Sequence, residues 1–127
     1  MKTNQETLSR REREIMDILF RTGAATAQEV LDAMGDPPSY SAVRATLHVL
    51  ETKGHARHRQ DGTRYVYEPT QSRERARRSA LDHVVKTFFD GSAEGLVASL
   101  LESRHGMSHD ELSRLSTLIA KARKEGR

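Results

Sequence analysis

The sequence contains no cysteine and no tryptophan. Without cysteine there is no disulfide, no thiolate metal site and no cysteine redox switch. Aromatic residues make up only 5% of the chain, too few for the stacking platforms that single-stranded nucleic acid binders use. There is no apolar run of about 18 residues, the length a membrane helix needs. No secretory h-region follows the N-terminus. The chain is therefore expected to be soluble and cytoplasmic, with no membrane insertion.

Motifs of catalysis are missing as well. There is no Gly-rich phosphate loop, nucleophile elbow or metalloprotease helix signature. The carboxylates are scattered and mostly sit at helix-capping positions. An enzyme needs a cleft with convergent polar groups, and a chain this small and polar offers none, so no catalytic residue and no cofactor is assigned. Six histidines invite a metal site. However, His55 and His58 lie three apart in a predicted strand and leave opposite faces. His105 and His109 are four apart, but Gly106 and a cap at Ser108 interrupt any shared helix. No metal site is expected.

The 127 residues are 35% apolar and 31% charged. That suits one small domain, or a small domain plus an assembly arm. It is lean for one large core, so some apolar surface is expected to be buried by self-association.

The net charge of +3 says less than its distribution. Acidic side chains outnumber basic ones in residues 1–39. From residue 40 to 69, Arg44, Lys53, Arg57, Arg59 and Arg64 stand against Glu51, Asp61 and Glu68. Arg73, Arg75, Arg77 and Arg78 follow directly. Positive charge concentrated on one unit is what a phosphate-facing surface requires. Taken alone, the run 73–78 reads equally well as a solvated helix face.

Helical and turn signals order the chain. Residues 1–7 are polar and expected to fray. Ser9 and Glu12 have capping-box spacing. Ile15, Met16, Ile18 and Leu19 continue a first helix to about Arg21, ended by Gly23. Ala24 and Ala25 form an extended link. Thr26 and Glu29 make a second capping box, and Val30, Leu31 and Met34 follow until Gly35, Asp36, Pro37 and Pro38 stop the helix. Ser39 or Ser41 caps a third helix of about 13 residues. Val43, Leu47 and Leu50 recur at i, i+4 and i+7 and face the core, with Val49 at the edge of that stripe. Gly54 supplies the C-cap.

Two strands follow, His55–Gln60 and Arg64–Glu68, around an Asp61-Gly62 turn of the type that wants positive φ at both central positions. Tyr65 and Tyr67 fall on one strand face and read as packing residues. Arg64, Val66 and Glu68 fall on the other. From Ser72 the pattern is helical throughout: a long helix to Gly91 with Val84, Phe88 and Phe89; a second from Ser92 with Leu96 and Leu100; a third from a Ser108/Glu111 capping box with Leu112, Leu115, Ile119 and Ala122. The last repeats at the spacing of a helix–helix seam.

The fold class expected is mainly α with a small β-hairpin: a winged helix-turn-helix domain over residues 8–70 and a three-helix dimerisation arm over 71–125. The third helix is the candidate reader of DNA. Its outward face carries Tyr40, Ser41, Arg44, Ala45 and His48. Ser, Ala and one Arg leave an N-terminal half slim enough for a major groove about 12 Å wide. Arg44 suits guanine O6 and N7 or a phosphate, and Ala45 suits a thymine methyl. In the hairpin, Arg57, Arg59, Arg64 and His58 suit phosphates or the minor groove, which supply affinity rather than sequence choice. The competing reading is a winged helix used for protein binding, as an adaptor or polymerase-associated subunit, without sequence-specific DNA binding.

Together, LSRREREIMDILF, the ATAQEV helix, SAVRATLHVLETKGHARHRQDGTRYVYEP and the helical tail resemble the penicillinase-repressor family of winged helix-turn-helix regulators. The resemblance runs from about Leu8 to Ala122. It implies a homodimeric transcriptional repressor on a palindromic, double-stranded operator, with no cofactor. Carried over by position, Ser41, Ala42, Arg44, Ala45 and His48 are DNA-facing helix residues, and Arg59 and Arg64 lie in the wing. The C-terminal helices would dimerise, with Val84, Phe88, Leu96, Leu100, Leu112, Leu115 and Ile119 in the seam. In the antibiotic-resistance branch, a membrane-embedded metallopeptidase sensor acts upstream and the repressor is cut in its C-terminal domain. That branch's cleaved Asn-Phe pair maps to Ser99-Leu100, where the chemistry differs. The copper-responsive branch uses a cysteine-rich tail, and the absence of cysteine excludes that route.

Overall fold

The computed structural model describes residues 8–103 and 106–126. The expectation for residues 1–7 and the His105 half of the His105/His109 pair lie outside them. Two compact units are formed, Met1–Arg78 and Ser79–Arg127.

The first unit begins with α1, Arg10–Thr22, capped by a complete box: the Ser9 hydroxyl accepts from the Glu12 amide at 3.1 Å, and the Ser9 amide donates to Glu12 Oε1 at 3.0 Å. Helix α2, Ala27–Ala33, has the same device at Thr26 and Glu29. Each such cap is worth about 1 kcal/mol. Helix α3, Tyr40–Thr52, is capped by Ser39, whose hydroxyl accepts from the Ala42 amide, so Ser41 is left exposed. It ends in a Schellman motif, with the His55 amide on the Leu50 carbonyl and the Gly54 amide on the Glu51 carbonyl. Gly54 there has φ +87°, which a Cβ would strain.

Two strands form the hairpin, β2 Ala56–Asp61 and β3 Arg64–Pro69. The turn differs from the one expected by a residue. Asp61 pairs with Arg64, so the loop is Gly62-Thr63 rather than Asp61-Gly62. Gly62 has φ +67°, while Thr63 stays out of the positive region. One glycine at the first central position satisfies a primed turn of the second type, so Asp61 remains in the strand. The extended link was also more than a link. Ala25–Thr26 is a short strand, β1, that pairs with Tyr67 and Val66 of β3, giving a three-stranded antiparallel sheet ordered β1-β3-β2.

One core holds the three helices against this sheet. Ile15, Leu19, Val30, Val43, Leu47 and Leu50 are fully buried, joined by Met16, Ile18, Met34, Ala56 and Tyr67. Burying each large aliphatic contributes about 1.5–3 kcal/mol. Val49 does not join them; it is exposed. Its position, two residues past Leu47, turns it roughly 200° around the helix at 3.6 residues per turn.

The second unit is helical. Helix α4, Arg73–Phe88, starts in the first unit and continues into the second; α5 is Ala93–Glu102 and α6 is His109–Lys124, capped by the Ser108/Glu111 box. None of these helices has a buried residue. Phe88 is 71% exposed and Leu118 62%.

Candidate nucleic-acid interface

Helix α3 is seated by its own apolar stripe. With Val43, Leu47 and Leu50 buried, Ser41, Arg44, Ala45 and His48 are exposed on the opposite side, and Ala42 is half-buried. Only Arg44 among these is long enough to bond two atoms of a base edge. Helix α1 fixes the far end of α3: Lys53 Nζ donates to Glu12 Oε1 at 2.9 Å. That bond, and next the Ser9 amide, hold the Glu12 carboxyl below its ordinary 4.5.

Strand alternation divides the wing. Ala56, His58, Gln60, Tyr65 and Tyr67 share the face toward α3. There the His58 ring donates from Nδ1 to the Glu51 carboxylate of α3, stacks on Tyr65 with centroids 4.2 Å apart, and meets Tyr67 at 5.5 Å. Tyr67 is buried, and burial first of all pushes its hydroxyl pKa up. Tyr65 is 41% exposed.

Arg57, Arg59 and Glu68 lie on the other face. Glu68 binds Arg57 at 2.8 Å and approaches Arg59 at 3.8 Å, and the Arg57 contact lowers its pKa. Beside them is a crevice bordered by Phe20, Arg21 and Arg73. Arg64 stands at the turn, 3.3 Å from Asp61.

A groove runs between α3, the start of α2 and the wing. Arg44 and Tyr40 form one side, Arg64, Thr63, Tyr65 and Gln60 the other, with Gln28 at the α2 end. Its acid, Glu29, is engaged in the α2 cap. The structure therefore brings Arg44 and Arg64 to one groove and places Arg57 and Arg59 away from it. Sequence reasoning placed Tyr40 on the outward face of the reading helix but did not assign Gln28, Gln60, Thr63 or Tyr65 to the interface. The signal for Tyr65 was the register: once Asp61 pairs with Arg64, Tyr65 lies opposite Gln60, toward the tip.

Among the described residues no three His, Asp or Glu side chains converge as a metal site, and no helix is long and apolar enough to cross a membrane.

A helix presented by two others, beside a basic hairpin on a three-stranded sheet, defines a winged helix-turn-helix DNA-binding regulator. The chain belongs to the penicillinase repressor family, whose model matches residues 8–121. Solved structures are similar. A possible transcriptional regulatory protein from Mycobacterium bovis is 28% identical, covering 61% of this chain and 80% of that one, with a TM-score of 0.50. The DNA-binding domain of the repressor BlaI is 25% identical over 56% and 87%, with a TM-score of 0.49. Rv0081 of M. tuberculosis is 18% identical over 65% and 82%, with a TM-score of 0.53, and shows the fold alone. No curated protein matches the chain.

Proposed function

We propose that this repressor works as a homodimer on a palindromic operator, with α3 of each copy in the major groove. The observation that carries the reading is the seating of α3. Its apolar stripe is fully buried, and Ser41, Arg44, Ala45 and His48 face outward beside the wing. Arg44 and Arg64 flank the groove between helix and wing and are assigned to DNA there. Ala42, half-buried at the start of α3, lets the backbone approach. Arg57 and Arg59 face away from α3 and add charge at the flank, competing with Glu68 for it.

Dimerisation is assigned to the C-terminal helices through Val84, Phe88, Leu96, Leu100, Leu112, Leu115 and Ile119. Support comes from the absence of any buried residue in α4, α5 and α6. A seam of this size calls for an apolar partner, and a second copy supplies an identical one. On this reading residues 8–70 read DNA and 71–125 assemble the dimer. Two reading heads about 34–36 Å apart, or a multiple of that, would then meet successive turns of one DNA face.

Relief of repression is assigned to a signal of unidentified chemistry, and a membrane-embedded metallopeptidase sensor acting on the C-terminal unit is the candidate that the family resemblance supplies. Ser99-Leu100 lies inside α5. Proteases cut open, extended segments, so a cut there requires α5 to unwind first.

The test is binding to a duplex that the chain itself selects from a random-sequence pool. If a dimer neutralises about eight phosphates, affinity falls roughly four decades between 50 and 200 mM salt. Binding that ignores salt, or failure to select any duplex, would refute the reading.

A further inference from the structure

Tyr65 and Tyr67 have the same residue type and the same strand face, yet the structure uses them differently. Both line the groove, but Tyr67 is buried in the core whereas Tyr65 is exposed. The His58 ring lies against Tyr65 nearly parallel, at 19°. His58 is itself held from α3. Ionised Glu51 can only accept, so the imidazole donates to it, across the junction of helix and wing. A chain of three side chains, Glu51 to His58 to Tyr65, thus runs from the recognition helix to the groove wall. Among the described residues the Tyr65 hydroxyl makes no hydrogen bond.

The groove that Tyr65 borders has the chemistry of a phosphodiester site. Arg44 and Arg64 stand on opposite sides, and Tyr40, Thr63 and Gln28 add neutral donors. We propose that Tyr65 is a DNA-backbone contact, donating from its hydroxyl to a phosphate, and that His58, braced by Glu51, is the residue that positions it. This rests on the DNA-binding reading above and adds two residues to it. Stacking on His58 fixes the ring before DNA arrives, so less side-chain freedom is lost on binding. The same clip couples wing to helix, so the phosphate contact keeps its register with the bases that α3 reads.

The experiment uses the full chain, a duplex selected by the wild-type protein and a scrambled duplex of equal length. Tyr65→Phe keeps the ring and its stack and removes only the hydroxyl. It is expected to weaken both duplexes about 3–10-fold, the range of one hydrogen bond. The salt slope should not move, because a neutral donor releases no counterion. His58→Ala should give a similar loss, and the double variant no further loss, since His58 acts through Tyr65. Ethylation interference should lose the same phosphate in both single variants. Wild-type affinity in Tyr65→Phe overturns the contact, and losses that multiply in the double variant overturn the positioning role. Should His58→Ala fail to fold, Tyr65→Phe decides the contact, and His58→Phe, which keeps a ring on Tyr65, should bind within about threefold of wild type, a larger loss overturning the stacking role. If the wild-type chain selects no duplex, the DNA-binding reading itself fails. If it does and Tyr65→Phe is silent, only the present inference falls.

Discussion

Lys53 Nζ lies 2.9 Å from Glu12 Oε1, joining the C-cap of the recognition helix to the first turn of α1, 41 residues earlier in the chain. The same carboxylate oxygen accepts from the Ser9 amide at 3.0 Å. One side chain therefore closes the α1 cap and pins α3. Glu12→Ala is expected to lower unfolding stability by about 2 kcal/mol, combining a lost cap with a lost charged hydrogen bond. Urea denaturation at neutral pH checks this, and a change within about 0.5 kcal/mol, as for an ordinary surface site, would remove the pinning role.

The same contact sets an acid limit. Glu12 and Glu68 both have carboxyls held below the ordinary 4.5, chiefly by Lys53 and Arg57 respectively. A folded-state value below the unfolded one gives stability that is fully present above 4.5 and drains as pH falls through the folded values. Thermal melts should be flat in this respect from pH 7 to 5 and should drop below pH 4.5. In Glu12→Gln the drop should be smaller. An identical acid profile in that variant would contradict the assignment.

Much of the winged helix could be read from sequence because its signals are local. Its two capping boxes, Ser9/Glu12 and Thr26/Glu29, each need only two residues at fixed spacing. The α3 stripe needs only Val43, Leu47 and Leu50. What escaped was set by pairing between distant segments. Strand β1 has two residues, too few for any period to show, and exists because Tyr67 and Val66 lie beside it. The hairpin turn is shifted by one residue because Gly62 alone takes the positive φ, at the first central position, which leaves Asp61 in the strand opposite Arg64. The divided wing, by contrast, follows from strand alternation alone, and only the cross-strand partners, such as Gln60 for Tyr65, depend on the register. Of the two serines that could cap α3, Ser39 is the one whose hydroxyl accepts from a first-turn amide, that of Ala42.

Leu47 tests the seating of the reading helix. It is fully buried, so Leu47→Ala should cost about 2–5 kcal/mol. Operator affinity should fall at temperatures where the variant is still folded, because a loosened α3 loses register with the bases. Calorimetry paired with anisotropy titrations checks both. Full affinity in a destabilised variant would mean that α3 is held by something other than this core.

Arg44 decides how the interface discriminates. It is the sole long polar side chain among the outward residues in the first half of α3 apart from Tyr40. If Arg44 reads a guanine, Arg44→Ala loses about 1–3 kcal/mol on the selected duplex and tolerates substitution at one base pair. The groove position beside Arg64 also allows a phosphate clamp. That would show as equal weakening on every sequence and a salt slope reduced by about one. Selection from a base-randomised library with wild type and variant separates the two.

Phe88 and Ile119 test the assembly. Phe88 is 71% exposed in one chain and Ile119 48%. A charge placed at either site meets water in the isolated chain, where surface substitutions stay within about 0.5 kcal/mol. In a dimer with these residues in its seam, the same charge would be buried without a partner, at a cost of several kcal/mol. Phe88→Asp and Ile119→Asp are therefore expected to sediment as folded monomers while the wild type sediments as a dimer. On DNA they should occupy half-sites, with a salt slope near half that of the wild type because half the phosphates are engaged. A dimer that survives both substitutions places the seam elsewhere.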